Sequence, residues 1–173
     1  GAAIAIDSQG TGDAGTLTAT ADITRLTNGG TITAATAAGA GGNVVLQTPI
    51  LLLRQGSNFI TDAGNADGGY ITLDTGILIA LENSDITANA LQGRGGQVTV
   101  TAQSLFGTAF REELTGESDI TATSALGPDF NGEVVLNTPN IDPESGLVRV
   151  PTIASDPEEQ IEAGCVGDRG NQF

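Results

Sequence analysis

Apolar and polar residues alternate strictly in four phrases: Val44/Leu46 in "GGNVVLQT", Ile71/Leu73 in "GGYITLDT", Val98/Val100 in "GGQVTVTA" and Val134/Leu136 in "NGEVVLNT". Alternation with period two marks a strand with one buried face. The first three phrases open at Gly41, Gly68 and Gly95, 27 residues apart, and Leu17/Ala19 after Gly15 forms a weaker earlier copy. A fixed interval of this size is the signature of a repeat architecture in which each unit buries its neighbour.

The same step carries two further strands. From Ile32 it reaches Phe59 and Ile86, followed two residues on by Ala34, Thr61 and Ala88; Ile120 and Ala122 continue the column after seven extra residues. "NFITDA" would also allow Ile60 and Asp62 to face inward, but that register would bury a carboxylate without a partner, so Phe59 is the inward residue. A third run recurs as "DITRL" at 22–26, "ILLLR" at 50–54 and "ILIAL" at 77–81. Three short strands and three corners per 27 residues predict an all-β fold, a right-handed parallel β-helix of about five triangular coils. A propeller blade needs about four antiparallel strands and about 40 residues, too many for this period.

The corners agree. Gly29, Gly56 and Asn83 fall 27 apart at one corner, and Gly and Asn are the residues that most readily turn left-handed. The Gly-Gly pairs mark another corner, where each coil closes onto the next. From Gly95 to Asn131 the step lengthens to 36, with the extra residues around 107–116, which reads as a loop extruded from the coil. The coils are assigned to 1–138. Residues 139–173 read as a C-terminal cap and tail: Ser155, Pro157, Glu158 and Gly164 bound a short helix at 156–163. Pro139, Pro143 and Pro151 guard that end, because proline cannot donate to a strand ladder. The N-terminal end carries only "AAIAI" at 2–6, an unprotected edge open to upstream coils or other copies of the protein. The chain begins inside repeat-like sequence and is read as a piece of a larger protein.

Charge narrows the partners. Six Arg, no Lys or His and 21 acidic residues give −15 at neutral pH, which argues against nucleic acid. No apolar run approaches the roughly 18 residues of a membrane span. Cys165 is the single cysteine and has no His or second Cys to join it in a disulfide or metal site.

Candidate chemistry is sparse. Asp13, Asp62 and Asp67 lie in Gly-rich corners and are the candidate calcium ligands, although their spacing matches neither an EF-hand nor a GGxGxD nonapeptide. The outward positions of the first strand, Thr18, Val45, Thr72, Thr99 and Val135, offer neither the carboxylate cluster nor the base that polysaccharide cleavage requires. The expectation is therefore a non-enzyme without a cofactor. An outward Thr33/Thr87/Thr121 column is interrupted by Ile60 and makes no regular ice-binding lattice. The third run is apolar on both faces, so something is expected to cover its outer side. Leu52, Ile79, Phe110 and Leu114 are the candidate interaction residues.

"TAQSLFGTAFREELTGESDITATSALG" at 101–127, followed by "VVLNTPNIDPESGLVRVP" and "DPEEQIEAGC", resembles the C-terminal β-helix of cyanobacterial filamentous-haemagglutinin-type exoproteins exported by the two-partner route. The resemblance covers about residues 15–168 and is most specific in the later half. It implies a secreted or cell-surface fibrous protein, structural or adhesive, with a cell-surface glycan or protein as a partner. A polysaccharide-binding or polysaccharide-cleaving β-helix is the alternative, and ice binding a more distant one.

Overall fold

A computed structural model describes residues 1–139, which form one compact unit. The expected helix at 156–163, most of the tail, Pro143, Pro151 and Cys165 lie outside the described residues. In chain order the elements are β1 (Ala3–Ala5), β2 (Thr16–Thr20), β3 (Ile23–Leu26), β4 (Thr31–Thr33), β5 (Asn43–Leu53), β6 (Asn58–Ile60), β7 (Tyr70–Ala80), β8 (Ile86–Thr87), β9 (Gln97–Phe106), β10 (Thr108–Phe110), β11 (Ser118–Thr121), a 3-10 turn (Pro128–Phe130) and β12 (Glu133–Asn137). All strand pairing is parallel. Two sheets result, β1-β4-β6-β8-β11-β10 and β12-β9-β7-β5-β2, with β3 also on β5.

The fold is the expected parallel β-solenoid, and its register is the 27-residue step: Val44 pairs with Ile71, Leu46 with Leu73, Ile32 with Phe59 and Phe59 with Ile86. It makes about four turns, one fewer than the expected five. The reason is that β1 supplies only a first-sheet strand and β12 only a second-sheet strand, so the outermost coils are halves. Phe59 is fully buried, as the choice of register requires, while Ile60 faces outward. Leu46, Leu73 and Val100 stack in one interior column at 3, 1 and 0 % exposure, whereas Leu136, in register with Val100 on the last described rung, is 36 % exposed.

Two corners differ from expectation in instructive ways. The first and third runs are continuous strands: β5 and β7 each run eleven residues through the bend. Inward positions shift from Val44, Leu46 and Thr48 to Leu51 and Leu53, so Pro49 and Ile50 both face out. The inward Thr48 hydroxyl donates to the Ile50 carbonyl at 3.1 Å, and Thr75 repeats this to Ile77 at 3.0 Å, so each buried hydroxyl finds its partner within the bend. The other corner is left-handed as expected at Gly29, Gly56 and Asn83 (φ 67°, 69° and 57°), but the preceding Asn28, Gln55 and Glu82 are left-handed too. A serine ladder then ties the corner together: Ser57 Oγ accepts from Gly30 N, Ser84 Oγ from Ser57 N and Ser118 Oγ from Ser84 N, at 3.0–3.1 Å.

The Gly-Gly corner is glycine for a different reason. Gly42, Gly69 and Gly96 have ordinary backbone angles; a Cβ on Gly69 would overlap the carbonyl oxygen of Gly42, and one on Gly96 that of Gly69. Close stacking of rungs, rather than a left-handed turn, requires them.

The insert at 107–116 is only partly the extruded loop that was expected. After Gly107 (φ 75°) it forms β10, which pairs onto β11, Thr108 with Ser118 and Phe110 with Ile120. It thus occupies the place of the next coil's first-sheet strand. Backbone groups that a free loop would leave to water are instead hydrogen-bonded to the edge of the sheet.

Candidate functional site

The outward face of the first sheet is built from stacked short polar side chains. Along two columns of it, and at the Gly-rich corner, Asn and Asp side chains accept a backbone N–H from the coil above. Asn58 Oδ1 accepts from Asp85 N at 2.8 Å and Asp85 Oδ1 from Asp119 N at 2.9 Å. In the neighbouring column Asp62 Oδ1 accepts from Asn89 N at 2.7 Å and Asn89 Oδ1 from Thr123 N at 2.8 Å. At the Gly-rich corner Asp13 accepts from Ala40 N at 2.8 Å and Asp67 from Arg94 N at 2.7 Å.

The three calcium candidates therefore do not converge. Asp13 and Asp67 belong to one column two coils apart, and Asp62 to another. Among the described residues no group of three or more His, Cys, Asp or Glu side chains is placed to hold a metal. Each of these carboxylates binds a rung of its own solenoid.

The insert folds over the last rungs of this face. Asp119, whose side chain has no exposed surface, forms an ion pair with the Arg111 guanidinium. It also accepts from Thr115 N at 2.5 Å and Thr115 Oγ1 at 2.9 Å. With its amide nitrogen turned toward the insert, Asn83 donates to the carbonyls of Glu117 at 2.9 Å and Thr115 at 3.2 Å. Thr87 and Thr121 face outward yet are only 5 and 0 % exposed, so the threonine column is not an open surface. Burial pushes the Asp119 carboxyl up, but the Thr115 N–H, the Arg111 guanidinium and the Thr115 hydroxyl together hold it below the usual carboxylate range. Burial raises Asp62 and Asp85 above that range against the N–H groups of Asn89 and Asp119. Beside the insert lies an open groove of about 760 Å³, lined by Asp62, Asn89 and Thr123 on the coil and by Arg111, Glu113 and Leu114 on the insert.

The four interaction candidates fall on two surfaces. Leu52 and Ile79 are adjacent in register on the outer face of the third run and half-buried. Phe110 and Leu114 lie on the insert, 48 and 54 % exposed. Phe110 stands in register over Ile120, which is fully buried, yet itself meets solvent.

Two sets of residues were missed. Asp119, just after the insert, carries no mark in the sequence, and only folding shows it enclosed. Phe106, by contrast, was within reach: it lies one step of 27 beyond Ile79 and pairs with it at 55 % exposure. Ile23, Ile50 and Ile77 form a parallel column beside it, at 58, 38 and 37 %. Comparison with models of protein families, with curated proteins and with solved structures finds no match.

Proposed function

We propose that the chain is a non-catalytic solenoid of the bacterial exterior, structural or adhesive, akin to the β-helical exoproteins that its later half resembles. The observation that carries this reading is the use made of its carboxylates. Asp13, Asp62, Asp67, Asp85 and Asp119 each accept a backbone N–H, four from the coil above and Asp119 from the insert, so the side chains best suited to chemistry reinforce the rod. A stiff, acidic rod suits spacing and contact outside the cell. On this reading coils or copies of the same protein join at the N-terminal end, where β1, β2 and β3 each have a strand on one side only among the described residues.

The second reading, a polysaccharide-binding β-helix, is favoured by the groove beside the insert, whose lining mixes amide, hydroxyl, carboxylate and guanidinium groups. One experiment separates the two: beads coated with the purified chain are tested for attachment to cells and surfaces, and the chain in solution for binding and turnover of neutral and acidic polysaccharides. Attachment without polysaccharide binding or turnover is expected; polysaccharide binding lost on a single change at Asp62 or Arg111 would favour the second reading. Turnover abolished by a single change at Asp62 or Arg111 would overturn the non-catalytic reading.

A further inference from the structure

The outer face of the third run differs in character from the rest of this acidic chain. Two columns cross four rungs: Ile23, Ile50, Ile77 and Ser104 in one, and Arg25, Leu52, Ile79 and Phe106 in the other. In a protein of net charge −15 these eight positions include no carboxylate. Their only charge is Arg25, which makes no hydrogen bond or ion pair among the described residues. Glu82, beyond the end of the strand, is already paired with Arg54 at 2.6 Å. Exposed apolar side chains aligned on a flat sheet are an association surface.

We infer that this face pairs with the same face of a second copy, the two solenoids running antiparallel. Charge selects the partner: two such chains repel one another broadly, and here they meet without bringing carboxylates together. The order of residues selects the direction. Antiparallel stacking sets Leu52 against Ile79 and Ile50 against Ile77 twice over, and brings Arg25 onto Phe106 at each end, a cation–π contact. Parallel stacking would turn one column onto the other, placing Arg25 opposite Ile23 and leaving it without an aromatic partner. Two columns over four rungs about 4.8 Å apart give a footprint well below that of a stable dimer, so the pairing is weak, reversible and concentration-dependent. This inference goes beyond the adhesive reading and holds whether or not the chain attaches to anything.

The test is the oligomeric state of the intact chain by sedimentation equilibrium, with the Cys165→Ser background used throughout. A monomer–dimer equilibrium is expected, and Leu52→Glu should raise its dissociation constant at least about tenfold. Circular dichroism must report an unchanged fold for that variant; should it not fold, Arg25→Glu, whose side chain is exposed, serves the same purpose. A mixture of the Leu52→Cys and Ile79→Cys single variants should give a disulfide-linked heterodimer on mild oxidation, while Arg25→Cys alone should not, because antiparallel stacking holds the two copies of residue 25 at opposite ends. A chain monomeric at millimolar concentration, a dimer indifferent to Leu52→Glu, or ready Arg25→Cys cross-linking would each overturn the inference. So would sedimentation with vesicles of anionic lipid that Leu52→Glu abolishes while self-association is absent, which would make the face a membrane contact.

Discussion

The buried carboxylate of Asp119 is held by the guanidinium of Arg111, eight residues earlier in the chain, on the insert that interrupts the fourth coil. The two partners are unequal: Asp119 is fully enclosed, whereas the Arg111 side chain is 35 % exposed. Removing the arginine strands a charge in the protein, and removing the aspartate leaves a cation that can turn to water. Arg111→Met is therefore expected to cost about 3 kcal/mol, and Asp119→Ala less. Urea denaturation checks the order of the two; equal costs would mean that the pair does not anchor the insert.

Acid should first strengthen the fold and then weaken it. A carboxyl whose folded pKa is raised binds its proton more tightly when folded, so lowering the pH through the range of Asp62 and Asp85 adds stability. Asp119 has the opposite sign: its contribution is present above the unfolded carboxylate pKa of about 3.9 and lost as pH falls through its depressed folded value. Melting temperature is expected to rise as pH falls from neutrality toward the unfolded carboxylate value of about 3.9, and to fall again below it. Asp62→Asn keeps an acceptor for the Asn89 N–H without the charge. It should stabilise by about 0.5 kcal/mol or more at pH 7 and flatten the acid rise. A variant that melts lower than the parent at pH 7 would contradict the assignment.

Core position should decide the cost of equal deletions. Leu73 lies between Leu46 and Val100 at 1 % exposure, and Leu73→Ala is expected to cost about 2–5 kcal/mol. Leu136 has the same alternation in sequence but is 36 % exposed, and Leu136→Ala should cost about 1 kcal/mol or less. Comparable losses in thermal and chemical denaturation would show that the interior column extends further than the described rungs.

At the Gly-Gly corner, glycine should matter by approach and not by backbone angle. Gly69→Ala would drive a methyl into the Gly42 carbonyl and is expected to cost at least about 2 kcal/mol. Gly10 has nothing within 4 Å of such a methyl, and Gly10→Ala should be neutral to about 0.5 kcal/mol. Calorimetry of the two variants gives the comparison.

The ladder register was readable from residues alone because stacking forces like onto like. One step of 27 carries Val44 to Ile71 and Ile32 to Phe59, and those are the pairs that form. The choice between Phe59 and Ile60 was also readable, since the alternative buried an aspartate. The left-handed corner was half readable: Gly56 announces itself, whereas Gln55 and Glu82 carry no mark of the strain that the coil imposes on them. The candidate site was less so, because burial of Asp119 and the cover over Thr121 depend on where the insert folds, and an insert interrupts the period that made everything else predictable.

What the sequence by itself determined is the solenoid: a periodic chain meets the same environment every 27 residues, so local alternation and corner chemistry repeat into one global answer. Tertiary structure decided the rest. It turned Asp13, Asp62 and Asp67 from metal candidates into bridges between coils, laid β10 on the edge of the first sheet, and aligned Ile23, Ile50 and Ile77 with Leu52, Ile79 and Phe106 into one apolar face. The physical reason is that a hydrogen bond or a shared surface belongs to two rungs at once, and no single rung contains the partner that defines it.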